Sequence, residues 1–191
     1  MRSVDASGPM LGQGRRPAAS VPDSMKSMKA QTRAATYADQ WVERHKEFAE
    51  LVESLNEEQW QLVGRNYPER INEEDENRTV GVIAHHVAAN EEFILDRIYL
   101  MLEGKPLQRM DFHEINARHG AEHADVTRDE VLSLLRANEE RLAPRIRSIP
   151  DDALDVVHET PVGPATVAQR LDRVLIGHLQ MHRGSIEAAL S

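Results

Sequence analysis

Apolar residues recur every three or four positions in four stretches of the chain, a spacing that places them on one face of an α-helix. The first stretch runs from Thr36 to about Gly64. Its apolar positions are Trp41, Phe48, Leu51, Val52 and Leu55. Asn56 followed by Gln59 resembles a new N-cap, so this stretch allows a long helix and then a short one.

The second stretch predicts a helix from about Thr79 to Leu102, which Gly104 and Pro106 end. Its core candidates are Val80, Ile83, Val87, Ile94, Ile98 and Met101.

Capping boxes begin the other two predicted helices. Thr127 is followed by Glu130, and Thr166 is followed by Gln169, so each pair can satisfy free backbone groups at a helix start. The third helix has core candidates Val131, Leu134, Leu135, Leu142 and Ile146. The last helix extends to Ala189 or Leu190, with the apolar stripe Val167, Leu171, Val174, Leu175, His178, His182, Ile186 and Leu190.

Polar segments separate these helices. Residues 65–78 predict a loop, residues 105–126 a long loop with at most a short helical turn, and residues 151–165 a helical turn and a tight turn. Strand alternation is limited to a brief stretch near Val157. We therefore expect residues 34–191 to form one all-α domain, an antiparallel four-helix bundle with long loop connections. Those connections allow a topology other than up-down-up-down.

The first 33 residues differ from the rest, because Gly, Pro, Ser and Ala dominate them. Such a segment buries too little apolar surface to offset the entropy of ordering it, so we expect residues 1–33 to be a disordered tail. It also lacks the continuous apolar core of a secretory signal.

Charge and composition exclude several classes of function. The net charge of −9 argues against nucleic-acid binding, which needs clustered Lys and Arg. No apolar run approaches the roughly 20 residues that a membrane span needs. The chain has no Cys, so it offers no thiolate ligand or cysteine nucleophile, which is compatible with a cytoplasmic location.

The candidate chemistry lies on two histidines of the last helix. His178 and His182 are four residues apart on the apolar stripe, so their rings lie one above the other and can close on one metal ion. Alternatively, each ring bonds a carboxylate or carbonyl of another helix, since a buried unpaired polar group costs about 1–3 kcal/mol.

The second helix offers a third ligand, His85 or His86. We choose His86, because its helical neighbours are the more apolar. Asn90, one turn on, either orients that ring or is an ordinary polar residue. Glu91 and Glu92 are expected on a solvated face.

The other histidines lack such a setting. His119 and His123 are also four apart, but Gly120 lies between them and their surroundings are polar, so we expect a loop or frayed helix in water. His45, His113 and His158 receive no role.

The stretch Thr79-Val80-Gly81-Val82-Ile83-Ala84-His85-His86-Val87, followed by His178-Leu-Gln-Met-His182-Arg183-Gly184, resembles the DinB/YfiT-like superfamily. The resemblance covers about residues 36–190. It implies a four-helix bundle, often a homodimer, that holds a divalent metal, commonly zinc or nickel, on His86, His178 and His182. Many members have Gln where this chain has Ser185.

The resemblance also implies a range of reactions, since some members are metal-dependent transferases of a low-molecular-weight thiol and others are isomerases or hydrolases. Three interpretations follow: a thiol transferase acting on a small electrophile, a metal-dependent hydrolase, and a non-catalytic metal-binding bundle. The absence of Cys fits the first, because the thiol then arrives with the co-substrate. Arg183 either orients an anionic substrate or forms a structural ion pair.

Overall fold

The computed structural model describes residues 31–64 and 78–191, and most of these residues are helical. The helices are α1 (Arg33–Ser54), α2 (Glu57–Trp60), α3 (Val80–Leu102), α4 (Phe112–Glu122), α5 (Arg128–Arg147), α6 (Val167–Arg170) and α7 (Gly177–Leu190). A π-helical segment, Leu171–Ile176, joins α6 and α7 into one continuous last helix. The predicted all-α fold is confirmed. The predicted tail lies outside the described residues except for its last three, and the predicted loop at 65–78 lies outside them except for its last residue.

Two short strands precede the last helix. Strand β1 (Val157–His158) pairs antiparallel with β2 (Ala165–Thr166), with Val157 opposite Thr166. Gly163 has a φ of 105° in the turn between the strands, a conformation that favours glycine. The strand alternation near Val157 therefore forms a small hairpin.

Side-chain caps set the helix starts where the sequence places them. The predicted capping boxes at Asn56, Thr127 and Thr166 are all present, each with its Gln or Glu partner three residues on. Thr79 caps α3 by accepting a hydrogen bond from the backbone of Val82. Each cap satisfies backbone N–H groups that have no partner within the helix, so these four boundaries follow from local chemistry.

Four long helices form the bundle: α1, α3, α5 and the last helix. Helices α1 and α3 each pack against α5 and the last helix, so they lie diagonally across the core from each other. The largest fully buried side chains come from all four helices and include Trp41, Phe48, Leu95, Ile98, Leu135, Leu142 and Leu171. No helix of the described part combines the length and the apolar character that a bilayer crossing requires.

Helix α4 corrects the prediction of a long loop over residues 105–126. It has 11 residues and begins where Asp111 accepts hydrogen bonds from the backbone of His113 and Glu114. None of its residues is buried, so its sequence carries no apolar stripe from which a helix could be recognised.

Candidate metal centre

The structure brings together the three histidines that the sequence selects. His86 is on the second turn of α3, whereas His178 and His182 are one turn apart on α7. Nε2 of His86 is 3.2 Å from Nε2 of His178. The ring centroids of the three imidazoles are 4.5–5.1 Å apart, and one nitrogen from each ring lies within 4.8 Å of the others.

The last helix divides its apolar stripe between the core and a cavity. His182 is buried in line with Leu179 and Ile186, whereas His178 is only half-buried and lines the cavity beside Val174. The π-helical segment ends just before His178, with the backbone N–H of Gly177 bonded to the carbonyl of Asp172 five residues back. Such segments recur at functional sites, because the extra residue changes which side chains share a face.

Burial keeps the three imidazoles neutral. It lowers the pKa of His178 to about 4, with the charge of Arg78 as a second cause. Burial followed by the neighbouring histidines also lowers the pKa of His86 and holds that of His182 well below its usual value. Neutral imidazoles keep a lone pair free for a metal ion.

The donor set fits a divalent transition-metal ion. Nδ1 of His178 is buried and has no hydrogen-bond partner among the described residues. The two facing Nε2 atoms of His86 and His178 share one contact, which can hold only one proton. A cation held by the two Nε2 atoms replaces that shared contact, and three nitrogen ligands from two helices leave a further coordination position open.

Asn90 fixes the ring of His86. Its side-chain amide is hydrogen-bonded to Nδ1 of His86 at 3.0 Å and donates to the backbone carbonyl of His86 at 2.8 Å. The contact holds Nδ1 and directs Nε2 towards His178, which favours the first of the two predicted roles for Asn90.

A cavity of about 660 Å³ opens beside the three histidines. One face of α3 lines it with His86, Asn90, Phe93, Arg97 and Met101, and α4 contributes Phe112, Ile115 and Asn116. Its volume and its mixture of apolar walls with a few polar groups are typical of small-molecule sites.

The cavity is strongly cationic although the chain is acidic. Its walls include Arg78, Arg97, Arg109, Arg118 and Arg170, and no described carboxylate lines it. Within the described residues, Arg97 and Arg170 hydrogen-bond uncharged groups and form no ion pair; the partners are Gln108, Met110 and Thr160. Burial lowers the pKa of both guanidinium groups, and the charge of Arg170 lowers that of Arg97 further.

These arginines were not predicted at the site from the sequence, although helical spacing could have indicated one of them. Arg97 lies on the same helical face as His86, Asn90 and Phe93, at steps of four, three and four residues. The positions of Arg78 and Arg170 follow only from how their segments pack, so spacing carried no signal for them.

The prediction that His119 and His123 lie in a loop or frayed helix in water is wrong. They are half-buried rather than free in water, and they lie against His85 at the N-terminal end of α3. The three form a second group whose ligand nitrogens lie within 4.8 Å of one another.

His45 and Glu91 are a further correction, because both are 1% exposed. Nδ1 of His45 contacts Oε1 of Glu91 at 2.8 Å, and Nε2 donates to the carbonyl of Leu135 at 3.0 Å. Glu91 therefore lies in the core rather than on a solvated face, since α1 and α5 cover that side of α3.

Arg183 forms structural ion pairs, which is the second of its two predicted roles. Its guanidinium pairs with Glu47 at 2.7 Å and with Glu187 at 2.8 Å, outside the cavity. It has no contact with the three histidines among the interactions of the described residues.

Comparison with known proteins agrees with this architecture. The model of the DinB superfamily matches residues 40–186, which is most of the chain. The match includes all three candidate ligands. Searches of curated proteins and of solved structures return no match.

Proposed function

The chain belongs to the DinB superfamily, and from this premise we propose that it is a metal-dependent enzyme that transfers a low-molecular-weight thiol to a small electrophile. His86, His178 and His182 hold the divalent ion, zinc or nickel. The observation that carries the proposal is the meeting of three neutral imidazoles at the wall of an open cavity. A closed site with four protein ligands is typical of structural metal, whereas an open position beside a cavity is typical of catalysis.

The metal supplies acidity when it is bound, because an ion held by neutral ligands keeps its full charge and lowers the pKa of a thiol or water beside it. The chain's own residues orient and enclose the reactants. Asn90 holds the ring of His86, and Phe93 and Ile94 offer apolar contact along the cavity. In the transfer, the thiol sulfur bonds to the electrophilic carbon, the leaving group departs with its electron pair, and the thiol proton passes to solvent.

The arginines indicate an anionic ligand. Half-buried guanidinium groups that have no ion pair within the described part of the chain, such as Arg97 and Arg170, gain most from a carboxylate or phosphate, which they can hold through paired hydrogen bonds. We therefore infer that the thiol or the electrophile carries negative charge at a point remote from the reacting atom.

The test compares two thiols of opposite charge in the zinc-loaded and the metal-free protein. Glutathione is anionic and cysteamine cationic at neutral pH, and an uncharged fluorogenic bimane serves as electrophile. We expect conjugate formation that needs the metal and is faster with glutathione. Arg97→Gln should reduce kcat/KM for glutathione about tenfold or more. Arg147→Gln is the matched control, because that arginine pairs with Asp39 outside the cavity.

Other outcomes would contradict the proposal. Metal-dependent cleavage of an anionic ester without thiol would identify a hydrolase. Metal uptake without turnover of any thiol would favour a non-catalytic bundle. The homodimer that the resemblance implies stays a prediction.

A further inference from the structure

A second histidine group lies beside the first at the N-terminal end of α3, where the ring centroids of His86 and His119 are 5.4 Å apart. Nδ1 of His85 is 2.9 Å from Nε2 of His119, and the ring of His123 lies against that of His85 at an interplanar angle of 35°, with centroids 3.9 Å apart. The centroids of His119 and His123 are 4.7 Å apart. One nitrogen from each ring falls within 4.8 Å of the other two.

The group repeats the arrangement of the first. His119 is in the last turn of α4 and His123 is its C-cap, four residues on, so one helix end contributes two rings and α3 contributes the third. Nδ1 of His119 is buried and has no hydrogen-bond partner in the described part of the chain. Nδ1 of His85 and Nε2 of His119 face each other, and only one proton can lie between them, as between the facing nitrogens of His86 and His178.

The charges around the group are mixed. Burial, followed by His85 and His123, lowers the pKa of His119 to about 4, and Arg78 adds to this. Burial followed by His123 also lowers the pKa of His85, whereas the carboxylate of Glu130 opposes that shift. Protonation of His85 and His119 is therefore disfavoured at neutral pH, and the negative charge of Glu130 acts on His85.

The position of helix α4 depends on this histidine group. It forms one wall of the cavity through Phe112, Ile115 and Asn116, yet none of its residues is buried. A helix without a buried face gains little from apolar packing, so its position depends on other contacts. The contacts of His119 with His85 and His86, and of His123 with His85, tie the C-terminal end of α4 to α3.

We propose that His85, His119 and His123 bind a second divalent transition-metal ion, which fastens α4 to α3 and so holds the wall of the cavity in place. Three imidazoles without thiolates suit zinc, nickel or copper. The proposed ion has its own set of ligands, because His85 and His86 are successive residues and project about 100° apart around the helix, and the two histidine groups are neighbours. The proposal does not depend on the reaction that runs in the cavity.

The test is metal stoichiometry on the full chain. Metal-free protein is loaded with Zn²⁺, freed of unbound metal by gel filtration and analysed for zinc. We expect two equivalents in the wild type, one in His178→Ala, one in His119→Ala and none in the double variant. His113→Ala is the matched control on α4 and should keep two, because His113 is in neither group of described histidines.

The outcomes separate the two sites. One equivalent in the wild type and none in His178→Ala would overturn the second site and leave the first. One equivalent in the wild type and none in His119→Ala would support the second site and overturn the first. Circular dichroism of each metal-free variant checks that the helices are retained.

Proteolysis tests the fastening of α4 separately. Arg118 is an exposed trypsin site within α4. In His178→Ala, which lacks the first site, Zn²⁺ at 100 times its dissociation constant should slow cleavage after Arg118 by up to about 100-fold, since binding depopulates the open state. Adding His119→Ala should remove that protection. Equal cleavage rates with and without zinc in His178→Ala would overturn the fastening role.

Discussion

His45 and His86 are both buried histidines, yet their surroundings are opposite. His45 on α1 bonds two oxygens, one from Glu91 and one from the carbonyl of Leu135. Glu91 in turn accepts a hydrogen bond from Asn138 at 2.9 Å. Nε2 of His86, in contrast, faces another imidazole, and Nδ1 of that neighbour, His178, has no partner among the described residues.

The difference appears in the charge that each ring carries. Burial disfavours the charged form of both, but at His45 the hydrogen bond and the charge of Glu91 outweigh burial and raise the pKa. At His86, burial and two neighbouring imidazoles act together and lower the pKa. A buried histidine satisfied by a carboxylate therefore stabilises the fold, whereas histidines whose facing nitrogens meet one another are prepared for a ligand.

The largest effect is expected when the group around His86 is disrupted and the group around His45 is left intact. Loss of a residue that only orients a ligand can cost up to about 100-fold in metal affinity. His178→Ala removes a ligand itself, so it should lower the metal affinity of the site at His86, His178 and His182 by more than that. The metal-free variant should keep its helices and nearly its wild-type melting temperature, because His178 is half-buried at a cavity wall. Competition for Zn²⁺ with a chelating dye measures the first quantity and thermal melts the second. Unchanged affinity would contradict the ligand assignment.

Disrupting the buried pair of His45 and Glu91 should instead lower stability and leave metal binding intact. Glu91→Ala removes one member of a buried pair and should lower the free energy of unfolding by about 3–5 kcal/mol without loss of metal binding. Asp39→Ala is the control, because it removes an exposed pair with Arg147 and should cost about 0–1 kcal/mol. Urea titration measures both. Equal losses in the two variants would show that the buried network contributes no more than a surface pair.

Asn90→Ala tests whether the metal centre also needs an orienting contact. The variant leaves all three imidazoles in place but frees Nδ1 of His86, so metal affinity should fall about 10- to 100-fold. The metal-free stability should change little, because Asn90 is half-buried beside the cavity. Full affinity in this variant would show that packing alone orients the ring.

The smallest effect concerns pH. Because the pKa of His45 is raised in the folded state, its contribution to stability is complete below the unfolded value of about 6.5 and is lost as pH rises through the folded value. The loss should not exceed about 1.4 kcal/mol per pH unit. Glu91→Gln removes the cause of the raised pKa and should abolish the decline above pH 6.5. A decline of the same slope in the variant would assign it to another group.

Local interactions account for what the sequence predicts well. The starts of α3, α5 and α6 follow from Thr79, Thr127 and Thr166, whose side chains cap backbone groups three residues away. The spacing of His178 and His182 likewise places both rings on one face of a helix, where they meet edge to face. Helix α4 escaped prediction because it buries no residue, so the apolar periodicity that marks a helix is absent from it.

The amino-acid sequence by itself determined the four bundle helices, their caps and the histidines that a metal would need, because each depends on residues within about one turn of each other. Only the tertiary structure decided which side chains meet across helices: Glu91 with His45 rather than with water, His85 with His119 and His123, and the arginines around one cavity. The histidine contacts among these join residues 34 to 46 positions apart, and helical spacing within one element does not determine how separate elements pack.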